Sequence, residues 1–174
     1  MIIATGVSYR GLEVPELDLP ASAGVFYGAA TTEAQTLAGK RAFVVGGGGN
    51  SAGQPAVHLS RYAQQVTILI RSNALAASMS RYLIREIATT PNIDVRYHTE
   101  VAGGGDGRLE QLRLRRRDTG ESQAEPADGL LVLIGAQPFT GWLPERPVGP
   151  IWSRPEIPSP ASRIRRPSMR PANT

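Results

Sequence analysis

The chain has 174 residues, 41% hydrophobic and 20% charged, a composition typical of a soluble globular domain that can bury a core. It contains no cysteine, which excludes disulfides, thiolate metal sites and thiol nucleophiles. The net charge of +4 is carried by residues 145–174, which hold six arginines and two glutamates. That segment has no motif for nucleic acid, so we expect no specific nucleic-acid partner.

Signals for a membrane or for secretion are absent from the sequence. No apolar run approaches the roughly 20 residues that a membrane-spanning helix needs. The first ten residues, MIIATGVSYR, lack the basic start and apolar stretch of a secretory signal. We therefore expect a cytoplasmic protein that does not interact with a membrane.

The first forty residues give weak structural signals. Residues 1–5 form a short apolar run that predicts a strand, and residues 7–23 contain prolines and little periodicity, which predicts a connector. Threonines followed by polar residues and Gly39 predict a short helix over 32–38.

The clearest unit begins at Arg41. Residues 41–45 predict a buried strand, residues 46–53 a glycine-rich turn that opens a helix, and residues 66–70 a second buried strand. The unit has about 30 residues, the length of a strand–helix–strand crossover. It therefore predicts parallel strands joined by a right-handed connection.

The rest of the chain adds further elements and an unstructured end. In chain order the pattern predicts a helix over 75–88, a strand over 93–101, a glycine turn over 103–107, a strand over 109–116 and a buried strand over 130–134. Apolar and polar residues alternate in the strand over 109–116, which predicts a hairpin with one face in water. Prolines among arginines and serines after Leu143 predict disorder.

The glycine-rich turn carries the strongest functional signal. Gly47, Gly49 and Ala52 fit the fingerprint G-x-G-x-x-G/A, between a strand and a helix. Such a turn lets the backbone approach a pyrophosphate, whose charge is held by free N–H groups and the helix dipole. Asn50 and Ser51 can cap the helix or reach a phosphate oxygen. The alternative is a tight turn that binds nothing.

The residues after the second strand indicate which dinucleotide is bound. NAD sites usually place Asp or Glu there, to accept a hydrogen bond from the ribose 2′-hydroxyl. This chain has Arg71 and Ser72 instead, and a cation favours the 2′-phosphate of NADP. The alternative is an exposed arginine at the end of a strand. We predict an α/β, Rossmann-like three-layer NAD(P)-binding domain: a parallel sheet of three or four strands, two helices and an antiparallel hairpin or meander.

Other reactive side chains favour ordinary roles. His58 and His98 lie far apart and no cysteine is present, so we predict neither a metal site nor a catalytic residue. Asp106 in GGGDG is typical of a turn rather than of a calcium loop. Ser51 meets the spacing G-x-S-x-G of a nucleophile elbow, but no acid and histidine partners are indicated.

Several segments together resemble one family. MIIATG, GVFYGAATTEA, KRAFVVGGGGNSAG and GLLVLIGAQPFT have the order and spacing of segments in thioredoxin-reductase-like FAD-dependent pyridine nucleotide-disulfide oxidoreductases. The resemblance covers roughly residues 1–143. Gly28 and Thr31 stand where that family has its two redox cysteines, so dithiol exchange through this motif is impossible.

The resemblance implies a domain plan and a role. It divides residues 1–143 into a remnant of an FAD-domain strand and hinge (1–23), an NADPH-binding domain (24–135) and a return hinge (136–143). The tail that we predict to be disordered (144–174) does not resemble the family. It implies that Ile134 and Gly135 line the nicotinamide ribose and that NADPH donates hydride to FAD. We expect FAD only where a separate chain supplies the missing halves, and no turnover by this chain alone. The alternative is a non-catalytic nucleotide-binding module or a truncated gene product.

Two departures from the family affect the phosphate loop. It has four glycines where the family has three, which could shift the N–H groups by one position. Pro55 costs the helix up to about 3 kcal/mol if Asn50 is the N-cap, and is tolerated if the helix begins nearer Ala52.

Overall fold

The computed structural model describes residues 4–17, 23–28, 33–75, 79–105 and 107–141. The strands are β1 (Val7–Tyr9), β2 (Val25–Tyr27), β3 (Arg41–Gly46), β4 (Gln65–Leu69), β5 (Ile93–Arg96), β6 (Thr99–Gly104), β7 (Gln111–Arg116), β8 (Ser122–Pro126), β9 (Gly129–Leu133) and β10 (Ala136–Pro138). The helices are α1 (Glu33–Thr36), α2 (Asn50–Ser60) and α3 (Arg81–Thr89), and a 3-10 turn spans Pro15–Leu17.

Some predictions fall outside these residues. The predicted strand over 1–5 begins at Met1, before the described part, and Ala4 and Thr5 belong to no strand. Thr31, Asp106 and the predicted tail over 144–174 also lie outside the described residues.

A five-stranded parallel sheet forms the centre of the fold. Its strand order is β2-β9-β3-β4-β5, and every neighbouring pair is parallel. Strands β3, β4 and β9 are apolar and almost wholly buried, because helices and a second sheet cover the two faces. This confirms the α/β fold class. The prediction of three or four strands is too low, because the short edge strands β2 and β5 add one on each side.

Two apolar clusters separate three layers. One lies between the parallel sheet and helices α2 and α3, and includes Val44, Ile68, Leu83 and Leu131. The other lies between the opposite face of the sheet and a second, antiparallel sheet. The side chains of β3 alternate between the two clusters, because neighbouring residues of a strand point to opposite faces.

The second sheet is a meander in the order β6-β7-β8, so the predicted hairpin gains a third strand. The prediction of one strand over 93–101 is wrong: β5 belongs to the parallel sheet and β6 to the meander. His98, with φ of 53°, lies at the break between them. Its N–H donates to Ser72 O (3.1 Å) and the N–H of Thr99 donates to Ile70 O (3.0 Å), which guides the chain from one sheet to the other.

A two-stranded antiparallel ribbon joins β1 to β10, with Val7 opposite Pro138. The prediction of a featureless connector over 7–23 is therefore wrong at β1 and at the 3-10 turn. All residues of both ribbon strands are exposed, so the sequence has no alternation that would reveal them.

The helices differ from their predictions mainly in length. Helix α1 is a single turn within the predicted span 32–38, and α3 begins at Arg81 rather than at residue 75. Within the described parts of the chain, no helix is long and apolar enough to cross a membrane.

The two central strands begin at a shared polar contact. The backbone N–H and Nε of Arg41 donate to Asp128 Oδ2, at 3.0 and 3.3 Å. The hydrogen bond from the Arg41 backbone, supported by its guanidinium, holds the pKa of Asp128 below its ordinary value. This contact aligns the strand that leads into the glycine-rich turn with its neighbour β9.

Candidate functional site

The candidate site lies at the carboxyl edge of the parallel sheet. From β3 the chain passes through α2 to β4 on one side, whereas β9 and β2 lie on the other side. The ends of β3 and β9 are therefore a topological switch point, where open α/β sheets bind ligands. Gly46 pairs with Leu133 there, so the turn after β3 and the loop after β9 begin side by side.

The turn after β3 presents a run of free N–H groups. Among the described residues, no hydrogen bond uses the N–H groups of residues 47–51. Gly48 has φ of 74°, which reverses the chain, and Gly49 is the N-cap of α2. The N–H groups of Ala52 and Gly53 both donate to Gly49 O at 3.1 Å, which closes the first turn. The arrangement leaves donors and the positive end of the helix dipole for an anion.

Gly46, which the predicted fingerprint leaves out, sets how closely α2 approaches the sheet. It is buried at the end of β3, and a Cβ there would lie 2.4 Å from Ala52 Cβ. Gly47 is exposed, has no positive φ, and would place a Cβ more than 4 Å from any atom. Gly46, the first of the four glycines, is therefore the last residue of β3, and the other three form the turn. The Cβ position of Gly47 faces open space.

Pro55 is the sixth residue of α2, because the helix begins at Asn50 with Gly49 as N-cap. Both predicted starts, an N-cap at Asn50 and a start near Ala52, are therefore later than the observed one. Pro55 has no N–H for the carbonyl of Ser51, yet α2 continues to Ser60. The proline lies a turn beyond the free N–H groups and leaves them unchanged.

Arg71 and Ser72 follow the strand next to β3, and both are exposed. Arg71 makes no ion pair with any described residue, so its guanidinium has its full set of donors. The Ser72 hydroxyl donates to Ala74 O at 2.9 Å and is used in a local turn.

Arg71 and Ile134 line the same cleft, of about 900 Å³, with Val45, Tyr9 and Tyr27. A cleft of this size can hold a small organic ligand. Ile134 is half-buried against the second cluster. Gly135 has φ of 104°, and its carbonyl accepts the N–H of Arg10 at 3.0 Å. The glycine-rich turn does not line this cleft, although it starts from the same edge of the sheet.

Gly28, which the resemblance aligns with the first redox cysteine of the family, is covered by an aromatic ring. It has φ of 93°, and a Cβ there would lie 2.6 Å from Tyr9 Cζ. The N–H of Gly28 points to Val132 O at 3.4 Å, at the end of β2. The position lacks both a thiol and the room for any side chain.

We expect Gly28→Ala to lower the melting temperature by roughly 5 °C or more, because the new methyl meets both a positive φ and the Tyr9 ring. Tyr9→Ala in the same chain removes the ring and is expected to restore part of the loss. Thermal unfolding followed by circular dichroism measures both changes. Gly11→Ala is the control, since no atom lies within 4 Å of its Cβ position. A Gly28→Ala protein as stable as the original would refute the contact.

The remaining polar candidates do not form a reactive group. Ser51 lies in the first turn of α2, exposed, without a hydrogen bond to a described histidine. His58 is half-buried at the other end of α2, with its ring 5.5 Å from that of Tyr62. Among the described residues, no three His, Asp or Glu side chains are grouped as a metal site would need.

Comparison with known proteins identifies the family. The family model for pyridine nucleotide-disulphide oxidoreductases matches residues 1–149. The chain belongs to this family. It is 35% identical over 141 residues to NADPH-dependent thioredoxin reductase 3 of Arabidopsis thaliana, covering 79% of the chain and 26% of that relative. It is also 35% identical to a Streptomyces coelicolor thioredoxin reductase, covering 80% of the chain and 42% of the relative.

The fold matches the same group of proteins. The structure superimposes on a Streptococcus pyogenes thioredoxin reductase with a TM-score of 0.70 and 27% identity, covering 78% of the chain and 44% of that structure. These matches confirm the thioredoxin-reductase-like resemblance and the Rossmann-type fold. The chain spans less than half the length of each of these relatives.

Proposed function

We propose that this chain binds NADPH at the carboxyl edge of its parallel sheet and serves as the NADPH-binding part of a thioredoxin-reductase-like flavoprotein oxidoreductase. The observation that carries the proposal is a run of N–H groups over residues 47–51 that no described residue accepts, at the start of α2 and at the switch point between β3 and β9. Such donors at a helix N-terminus suit the two negative charges of a pyrophosphate.

The residues that would hold the pyrophosphate are Gly47, Gly49, Asn50, Ser51 and Ala52. Glycine at position 47 suits this role, because the protein itself leaves the space at its Cβ open. The close contact of Gly46 with Ala52 holds the first turn of α2 against the sheet. These N–H groups are therefore fixed before the ligand arrives, which lowers the ordering cost of binding.

Arg71 would hold the 2′-phosphate that distinguishes NADPH from NADH, with Ser72 as a weaker second contact. The support is its position after β4, beside β3, and a guanidinium that makes no ion pair with a described residue. A guanidinium can donate two parallel hydrogen bonds to a phosphate, whereas a ribose hydroxyl gains nothing comparable from it. Ile134 and Gly135 would lie beside the nicotinamide ribose, since they follow the strand on the other side of β3.

FAD would accept the hydride of NADPH where a separate chain supplies the FAD-binding parts, and we expect this chain alone to have no turnover. The support is that the chain covers 42% to 44% of the compared bacterial reductases.

A specific observation favours a second candidate, a non-catalytic nucleotide-binding module. The chain has no cysteine, and the Tyr9 ring occupies the space that a side chain at position 28 would need. Co-purification of a yellow, FAD-containing partner would support the first candidate, and a colourless monomer that binds NADPH the second.

The experiment that tests the proposal is a titration of the purified chain with NADPH and with NADH, followed by thermal unfolding. A ligand at 100 times its dissociation constant stabilises the native state by about 2.7 kcal/mol. We therefore expect NADPH to raise the melting temperature by several degrees, at concentrations where NADH has little effect. A shift with NADH alone would refute the role of Arg71, and no shift with either would refute nucleotide binding.

A further inference from the structure

Asn50, the first residue of α2, is held by Ser80, the residue that precedes α3. The backbone N–H of Ser80 donates to Asn50 Oδ1 at 2.8 Å, and the Ser80 hydroxyl lies 3.2 Å from the same oxygen. A backbone N–H can only donate, so the carboxamide atom that faces it is the oxygen. The NH₂ group of Asn50 is therefore turned away from Ser80. Among the described residues, nothing accepts a hydrogen bond from it.

Ser80 holds Asn50 instead of capping its own helix. It is the N-cap of α3, with the extended backbone typical of that position, yet its hydroxyl makes no capping bond within α3. Serine at an N-cap ordinarily accepts a hydrogen bond from an N–H of the first turn. Here the Ser80 hydroxyl instead donates to Asn50, which lies on the neighbouring helix, 30 positions earlier in the sequence.

The apolar contact between the two helices reinforces this hydrogen bond. Gly53, one turn after Asn50, would place a Cβ 2.6 Å from Leu83 Cδ2 and 2.9 Å from Met79 Cε. The absence of a side chain at Gly53 thus lets α3 pack closely beside the start of α2. Residues three apart share one face of a helix, so this packing and the Ser80 contact lie along the same interface.

We propose that Ser80 is a positioning residue for the dinucleotide: it fixes the Asn50 carboxamide so that Nδ2 becomes a side-chain donor to the pyrophosphate, beside the free backbone N–H groups of residues 47–51. The proposal rests on the proposed function. It adds a donor that the backbone cannot supply and assigns its orientation to a residue on another helix.

Asn50→Asp tests the orientation. The carboxylate can still accept from Ser80, and a negative charge in the first turn of a helix is favourable, so the melting temperature of the unliganded chain is expected to be unchanged or higher. The NADPH dissociation constant is expected to rise at least tenfold, because an N–H donor is replaced by a negatively charged oxygen facing a phosphate. Binding of 2′-AMP, which has a 2′-phosphate but no pyrophosphate, is expected to stay within twofold.

The positioning role of Ser80 is tested by comparing the effect of Ser80→Ala in the presence and in the absence of the Asn50 side chain. Ser80→Ala is expected to weaken NADPH binding about threefold in the original chain and to have no effect in Asn50→Ala. Ser80→Thr, which keeps the hydroxyl, is expected to restore binding. Ser60→Ala is the matched control, since that hydroxyl donates within α2 to Val57 O at 2.8 Å.

The outcomes separate this inference from the proposed function. If the original chain binds NADPH and Asn50→Asp binds it equally well, the inference is overturned and the proposed function stands. Equal losses for NADPH and 2′-AMP would indicate general loosening and would also overturn it. If the original chain binds no NADPH, both fail together.

Discussion

Gly46→Ala is expected to destabilise the protein by about 1–3 kcal/mol, because the added methyl would lie 2.4 Å from Ala52 Cβ at the crossing of β3 and α2. The strand is paired on both sides and cannot move away without loss of hydrogen bonds to β4 and β9. The melting temperature should therefore fall by roughly 2–12 °C. The first turn of α2 would also be displaced, so NADPH binding should fall with stability.

Gly47→Ala is the matched control at the next residue. Its φ is not positive and no atom lies within 4 Å of the Cβ position, so the unliganded chain should keep its melting temperature. The NADPH dissociation constant should nevertheless rise tenfold or more, since a methyl would occupy the space where the backbone approaches the pyrophosphate. Equal stability of the two variants would refute the assigned packing of Gly46. Unchanged NADPH binding by Gly47→Ala would refute the ligand position.

This pair of glycines shows what the sequence could predict and what it could not. Four glycines in a row, after a buried strand and before a helical pattern, are enough to predict a phosphate-binding turn. They do not reveal which glycine packs against the helix, because that depends on where β3 ends and how far Ala52 lies above it. The structure assigns the packing to Gly46, outside the predicted fingerprint.

The strands likewise divide into those that the sequence predicts and those that it does not. Strands β3, β4 and β9 were predictable, because buried parallel strands are continuous apolar runs. The ribbon strands β1 and β10 have three exposed residues each, and their pairing joins positions about 130 residues apart, so no local pattern reveals them. The contact between Asn50 and Ser80 is also long-range and polar, and no sequence motif predicts it.

If Arg71 binds the 2′-phosphate as we propose, Arg71→Ala is expected to remove the preference for NADPH over NADH. A hydrogen bond to a charged group contributes about 1.5–3 kcal/mol, and 1.4 kcal/mol corresponds to a tenfold change in affinity. The NADPH dissociation constant should therefore rise roughly 10- to 100-fold, whereas that of NADH should change less than twofold. Because Arg71 is exposed and has no ion pair with a described residue, the unliganded chain should keep its stability within about 0.5 kcal/mol.

Two further variants distinguish a direct contact between Arg71 and the 2′-phosphate from an effect of the overall charge of the protein. Arg71→Lys keeps the charge but loses the two-pronged donor geometry, so we expect an intermediate affinity for NADPH. Arg85→Ala, an exposed arginine on α3, removes the same charge elsewhere and should leave both affinities within twofold. Isothermal titration at two salt concentrations measures these constants. If Arg85→Ala reduced NADPH affinity as much as Arg71→Ala, the preference would come from overall charge rather than from a contact at the end of β4.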